Sequence, residues 1–502
     1  MKNLIRYISK GSIYGKLMLL IGVLIAVPIL IIPFFPEEIK YAHAFLIPAF
    51  LSIVLGVLTC RYHKPQNDDS GEWQSPLQRG SLPVLFAWCF GFLTGAIPFV
   101  ISGDLDFIKA LFESVSGWTT TGFSVADVTK LSHVFLFHRS FMQYCGGLGF
   151  ILMMLMLVGG KQAVTLFNAE GHPDRLMPSI RQTVQTIFII YNAFLVLGTI
   201  AYSFFGMHIF DAICHTMSAL STAGFTTQVN SIGGYGSYPI ELITIILMLI
   251  GSTNFAVLLL LTRFRFKKIF KVTELRFMIG MLAIFVPLIA LSLIDKMDMG
   301  IGESIHQSLF GIVTVFTTTG YSTMDYAAWP SFAVGLLMLL MIVGGSIGST
   351  AGGIKLARIY LLLRIARANI KKKISPSRSV TVLNYYRAQG KTPIDTELIT
   401  DTVGFVLCYF IVLICGTLLI TLTEDCSLFD AMFEFTSAFG TVGISNGLTN
   451  PDTKNTTLII EMFGMILGRL EIFIVFIGIH SVLGNAKNLF LRKYYKEASY
   501  DK

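Results

Sequence analysis

Apolar runs long enough to cross a bilayer alternate with short polar tracts along nearly the whole chain. A hydrocarbon core about 30 Å thick asks for about 20 apolar residues in helical form. Runs of that order lie near residues 17–35 and 42–58. From there one order occurs four times: an apolar span, an apolar run of half that length, a small polar tract, and a second apolar span. The leading spans lie near 82–101, 184–205, 277–294 and 402–422. The half-length runs occupy 107–118, 210–220, 304–316 and 428–439, and the trailing spans lie near 133–159, 238–262, 331–363 and 457–479. The half-length runs fit helices that enter from one face and stop near mid-membrane. The pattern predicts ten full spans and four half-spans, with both termini on one side. The fold class is an all-α integral membrane protein: four helix–pore loop–helix repeats around one pore, plus two N-terminal transmembrane helices. Its divisions are 1–80 for the N-terminal pair, then 81–183, 184–275, 276–395 and 396–502 for repeats 1 to 4.

The four polar tracts are copies of each other. They read Thr119-Thr120-Thr121-Gly122-Phe123, Ser221-Thr222-Ala223-Gly224-Phe225, Thr317-Thr318-Thr319-Gly320-Tyr321 and Gly440-Thr441-Val442-Gly443-Ile444. Ten positions before the glycines lie Phe112, Cys214, Phe310 and Phe433, so the register extends into the half-length runs. One such tract would be an ordinary Ser/Thr-rich loop. Four in register point to one site built by four copies. Irregular backbone at membrane depth is tolerated where it lines a watery cavity or is buried in protein. Rings of backbone carbonyls can replace a cation's hydration shell without fixed charges in its path. Glycine is favoured where that backbone is tightest.

Composition narrows the class. The chain is 54% hydrophobic and 14% charged, with a mean hydropathy of +0.69, against about 25% charged residues in soluble proteins. The basic start and a following run long enough to remain as an anchor read as a retained span rather than a cleaved signal. Seven cysteines in mostly apolar surroundings show no metal-ligand spacing. The net charge of +8 resides in short loops beside spans. Lys2, Arg6, Lys10, Lys16, Arg61, Lys64 and Arg79 fall on one side, as do the basic residues of 263–276 and 364–378 and Arg492, Lys493 and Lys496. Glu37, Glu38, Asp104, Asp106, Asp127, Asp295, Asp298, Glu424, Asp425 and Asp452 fall on the other. The basic side should be cytoplasmic, with membrane lipid as the surrounding partner and no nucleic-acid interface. An enzyme would need paired His, Asp or Cys groups in the spans. Glu461, Arg469, Glu471, His480 and scattered cysteines make no catalytic constellation.

Two further features stand inside trailing spans. In repeat 3, Gly344, Gly345, Ser346, Gly348, Ser349, Thr350, Gly352 and Gly353 crowd into ten residues. Each glycine costs a helix about 1 kcal/mol relative to alanine, so this stretch should unwind and line a cavity. Close helix packing by small residues is the rival reading. A phosphate loop is not, because Lys355 follows Gly353-Ile354 rather than closing a Gly-Lys-Ser/Thr ending. In repeat 4, Arg469 sits at a costly depth, where an arginine faces a pathway or a partner, pairs with Glu471, or snorkels. Gly146, Gly147 and Gly149 in repeat 1 and Asn254 in repeat 2 are hinges or packing sites.

These residues together resemble the TrkH-type subunits of the Trk/Ktr/HKT potassium transporter superfamily over nearly the whole chain. The resemblance implies potassium as the transported ion, no bound cofactor, and a filter formed by Thr120, Thr121, Gly122, Thr222, Ala223, Gly224, Thr318, Thr319, Gly320, Thr441, Val442 and Gly443. Potassium-selective members carry glycine at all four filter positions, as here, whereas a serine in the first accompanies sodium transport in some plant members. The fourth tract departs most, with Gly440 and Val442. The resemblance also implies that the glycine-rich loop gates the pore beside Arg469. It implies a homodimer docked on a cytosolic ring of nucleotide-binding RCK subunits, in the inner (plasma) membrane with both termini cytoplasmic. A sodium-permeable or sodium-coupled symporter of the same fold is the alternative.

Overall fold

A computed structural model describes residues 11–62, 76–149, 152–153, 179–374 and 383–483 of the protein. Lys2, Arg6, Lys10, Lys64, Arg378, Arg492, Lys493 and Lys496, and nearly all of the first trailing span beyond Gly149, lie outside them. The first span is a helix, Ile13–Ala26, that tightens into a 3₁₀ segment, Val27–Phe34. Pro28 and Pro33 supply no amide donors there, and Pro36 starts the turn Pro36–Tyr41, as the missing N–H of proline requires. The chain returns as Ala42–Tyr62. Small residues line the seam of this pair so closely that a Cβ on Gly15 would come within 2.7 Å of the Gly56 carbonyl. Such close approach is how helices associate when lipid removes the hydrophobic drive between them.

The leading helices of the repeats are Pro76–Ser102, Ile180–Phe204, Thr273–Met297 and Thr396–Thr423. The half-helices are Phe107–Trp118, Ile209–Leu220, Ile301–Phe316 and Leu428–Phe439. Two begin on well-formed caps: Asp106 accepts from the Lys109 amide (3.2 Å) and Ser427 from that of Asp430 (3.1 Å). Each trailing helix packs on the half-helix of the next repeat, and the fourth packs on the first. The four repeats therefore close into a ring.

Six described helices are continuous over membrane length: the N-terminal pair and the four leading helices. The trailing spans, counted as full from apolar length, are broken, and the break of repeat 3 falls on the glycine-rich stretch expected to unwind. In repeat 2, Tyr238–Gly251 and Phe255–Thr262 meet at 113°. In repeat 4, Asn455–Arg469 and Ile472–Leu483 meet at 106°. Repeat 3 leaves the helix Ser331–Ile342 and resumes at Leu356–Ile374. Repeat 1 ends its helix His133–Leu148 at Gly149, with φ +83°. A single residue class accounts for much of this. Gly146, Gly251 and Gly468 each face the last carbonyl of their own half-helix, where a Cβ would lie 2.0, 2.5 and 2.0 Å from the carbonyls of Trp118, Leu220 and Phe439. One element was not foreseen: a hairpin pairing Asn384–Arg387 with Gly390–Pro393, tied to repeat 3 by the Tyr386 amide on Thr273 Oγ1 (2.9 Å).

Candidate functional site

The four polar tracts share one backbone. Each half-helix ends on a residue near φ −75°, ψ 0°: Thr119, Ser221, Thr317 and Gly440. The next residue turns left-handed, Thr120 at φ +57°, Thr222 at +53°, Thr318 at +57° and Thr441 at +52°. The amides of Thr121, Ala223, Thr319 and Val442 then reach back to the carbonyls of Ser116, Ser218, Thr314 and Ser437 at 2.8–3.0 Å. This is the Schellman ending, whose left-handed position usually belongs to glycine. A β-branched residue there is a true outlier and costs about 1–2 kcal/mol, incurred here four times. Gly122, Gly224, Gly320 and Gly443 follow with φ +95°, +79°, +82° and +80°. The fourth tract keeps this course although Gly440 and Val442 replace the threonines of the first. What changes is the hydroxyl support. Thr119 pairs with Thr121 and Thr317 with Thr319, both at 2.8 Å, pairs that tracts 2 and 4 lack the residues to make.

The tracts meet in cyclic order. A Cβ on Gly122 would lie 2.2 Å from the Ala223 carbonyl oxygen, and one on Gly224 would lie 2.1 Å from that of Thr319. On Gly320 it would lie 1.8 Å from the Val442 oxygen, and on Gly443 2.0 Å from that of Thr121. Each of these glycines thus abuts the carbonyl that precedes the corresponding glycine of the next repeat, and the fourth closes on the first. The result is a ring of partial negative charge without a fixed carboxylate. The half-helix C-termini aim at the same region and add to its negative potential. Gln143, which the sequence reading passed over, braces one wall: its Nε2 donates to Ala223 O (2.7 Å), and its Oε1 accepts from the Phe225 amide (3.2 Å) and the Ser218 hydroxyl. A lone amide in an apolar span was the available signal.

The glycine-rich loop of repeat 3 lies against the ring threonines. Its neck is held by the Gly344 amide on Ile354 O (2.9 Å) and the Ile354 amide on Ile342 O (3.0 Å). Its tip reaches three tracts. Thr350 Oγ1 is 3.0 Å from Thr222 Oγ1, the Gly352 amide donates to Thr318 Oγ1 (3.0 Å), and a Cβ on Gly352 would lie 2.0 Å from Thr441 Oγ1. The break in repeat 2 fastens the loop from the side. Asn254 Nδ2 donates to Ile347 O (2.6 Å), the Phe255 amide to Gly348 O (3.2 Å) and the Ser346 amide to Ser252 O (3.0 Å). Arg469 fastens it from the other side. Its Nη1 donates to Thr350 O (2.6 Å), and its Nη2 donates to Gly146 O (2.6 Å) and Gly147 O (3.1 Å). Glu471, which follows Arg469 at the break, takes Arg358 at 2.8 Å. The glycines of repeat 1 and Asn254 therefore join the loop and Arg469 in one cluster.

Among the described residues no group of three or more His, Cys, Asp or Glu could hold a metal ion. The TrkH family model, described as a cation transport protein, matches residues 63–488. The Trk system potassium uptake protein TrkG of Escherichia coli K12 is 32% identical, over 79% of this chain and 84% of that protein. TrkH of the same strain is 30% identical, over 82% and 86%. The crystal structure of the potassium transporter TrkH from Vibrio parahaemolyticus superposes with a TM-score of 0.80 at 27% identity, covering 94% of this chain and 98% of that one.

Proposed function

The chain belongs to the TrkH family of cation transport proteins, and on that premise we propose that it takes up potassium through the ring of Gly122, Gly224, Gly320 and Gly443. It is a multi-pass membrane transporter and not an enzyme. The observation that carries the reading is the closed cycle of glycine-to-carbonyl contacts, which offers Thr121, Ala223, Thr319 and Val442 carbonyls around one axis. Such carbonyls replace water around a dehydrated monovalent cation, and the names of the Escherichia coli relatives specify potassium.

Control is assigned to the loop at 344–353. Its tip lies across Thr222, Thr318 and Thr441. Arg469 holds that tip and adds positive charge below the ring, so this arrangement is the closed one. The driving force is the membrane potential, worth about 2.3 kcal/mol per charge per 100 mV. The exposed basic residues Arg263, Arg265, Lys267, Lys268, Lys371, Lys372 and Lys373 support an inward, cytoplasmic face with both termini on it. The same face suits a cytosolic nucleotide-binding RCK ring, with two copies of this chain side by side in the inner membrane. Rubidium tracer uptake into proteoliposomes, with sodium as competitor, tests the reading. Uptake resisted by potassium and indifferent to sodium is expected. Equal competition by the two ions would overturn it.

A further inference from the structure

Behind the ring every repeat buries a pair of residues at matching positions in the sequence. One lies nine positions before the filter glycine. The other lies seven positions before the trailing-helix glycine, Gly146, Gly251, Gly344 or Gly468. The pairs are Glu113 with Arg139, His215 with Thr244, Gly311 with Leu337, and Glu434 with Glu461. Repeat 1 balances its charges. Arg139 Nε meets Glu113 Oε2 at 3.2 Å and its Nη2 donates to Ser124 Oγ at 2.7 Å, both charged side chains being at most 2% exposed. Repeat 4 puts a second carboxyl where repeat 1 has that guanidinium, and both carboxyls are wholly buried.

The donors around this pair can be counted. Glu434 accepts from Ser445 Oγ (2.7 Å), the Asn446 amide (3.2 Å), the Thr449 amide (3.0 Å) and the Thr449 hydroxyl. Glu461 Oε1 stands 2.9 Å from that same hydroxyl, and its Oε2 has no partner among the described residues. A threonine hydroxyl has one proton to give. If it goes to Glu434, the Thr449 oxygen must accept from Glu461, which is then an O–H donor. Two desolvated carboxylates this close do not both stay ionised.

Nothing on the neighbouring elements supplies the missing charge. On the half-helix, Asp430 is engaged with Asn446 (3.1 Å). At the end of the leading helix, Glu424 is paired with Lys454 (3.3 Å), whose side chain is 60% exposed. Glu397 and Asp401 stand at that helix's other end. The first half-helix, which packs on Asn455–Arg469, carries Lys109 and the already paired Glu113. The third trailing helix, Ser331–Ile342, carries no charge. Arg469 lies eight residues beyond Glu461, about 12 Å along the helix, on the loop carbonyls.

We propose that Glu461 is a proton-binding site: it holds a proton as a neutral acid, so that the pair carries one negative charge, on the well-donated Glu434, in place of two. The proton runs the chain Glu461–Thr449–Glu434, and Glu434 in turn pins residues 445–449, the exit of the fourth filter tract. Losing it sets two carboxylates against one hydroxyl and loosens that wall. The site itself does not depend on which ion the ring conducts. The test is infrared spectroscopy of the purified full-length protein in lipid, joined to rubidium uptake across a pH series. The expected result is a protonated-carboxyl C=O band that shifts in D₂O, vanishes in Glu461→Gln and persists in Glu434→Gln. Wild-type uptake then falls about tenfold per pH unit above the titration point, as when one protonated form conducts, whereas Glu461→Gln, which keeps a donor toward Thr449, lacks that limb. No band in the wild type, or a band unaffected by Glu461→Gln, overturns the proposal. So does a thermal stability that rises with sodium in the wild type but not in Glu461→Gln, since sodium would then be the charge that fills the site. A band assigned to Glu461 with no rubidium uptake in any variant upholds the proton and overturns the transport reading instead.

Discussion

Replacing Gly122 with serine separates two things that a glycine does at this place in the ring. The first is to hold φ at +95°, where an L-residue costs on the order of 1–3 kcal/mol. The second is to leave room: a Cβ would sit 2.2 Å from Ala223 O, so the two walls must part by about 1 Å to reach ordinary contact, well beyond what a packed site absorbs. Gly206 provides the control, because it has nearly the same φ, +94°, with nothing within 4 Å of its Cβ position. Gly206→Ser therefore carries the strain without the crowding. If displacement of the Ala223 carbonyl takes 1–3 kcal/mol from potassium but not from sodium, the preference falls roughly 5–150-fold. The assay is the potassium-to-sodium permeability ratio in proteoliposomes, measured alongside elution as folded protein. Gly122→Ser should lose the ratio and Gly206→Ser should keep it. An unchanged ratio in folded Gly122→Ser, or an equal loss in both, would refute the carbonyl-ring reasoning.

Arg469→Ala removes three donations to the loop and to repeat 1. Charge-assisted bonds are worth about 1.5–3 kcal/mol each, so resting rubidium uptake should rise tenfold or more, and uptake at the wild-type rate would count against the latch. Gly352→Ala places a methyl 2.0 Å from Thr441 Oγ1, so the loop tip should be displaced, with raised resting uptake and little change in selectivity; a normal resting rate would show that the tip does not seat there. Arg139→Met strands the buried Glu113 and should cost about 3–5 kcal/mol, seen as a lowered melting temperature that Glu113→Gln restores in the double variant; additive losses would refute the pairing. In the exposed loop, the Thr129 hydroxyl foremost, with Lys130, holds Asp127 down at about 2. Its contribution is present above its ordinary value and lost as pH falls through about 2. The thermal stability of Asp127→Asn should therefore differ from wild type by a constant amount above about pH 4 and converge below it; a difference that changed between about pH 5 and 8 would assign that titration elsewhere.

Much of the architecture was legible because its signals are local. The half-helices 107–118 and 428–439 end where their threonine-glycine tracts begin, since a helix stop is set by the few residues at its end, and the structure places both with the expected bounds. The four leading helices follow from apolar length alone. Among the trailing spans, the glycine-rich break of repeat 3 was legible, but in the others the place of the break was not fixed, for a physical reason. Their composition suits lipid throughout, and their breaks arise where Gly146, Gly251 and Gly468 meet carbonyls of other helices, contacts that a one-dimensional pattern does not contain.

By itself the sequence determined the membrane class, the four-fold repetition, the residues of the tracts and the two anomalies, the glycine-rich stretch and Arg469. Each of these is written in runs of neighbouring residues whose preferences are set by solvent and by local backbone sterics. Only the tertiary structure decided who meets whom. It set Gly443 against the Thr121 carbonyl and so closed the ring. It carried Arg469 to the Gly146 and Gly147 carbonyls more than three hundred residues away. It also laid Glu461 where repeat 1 has Arg139. Those outcomes depend on packing between distant segments, and there the cost of burying a charge or a lone hydroxyl is settled by partners that adjacency in the chain does not supply.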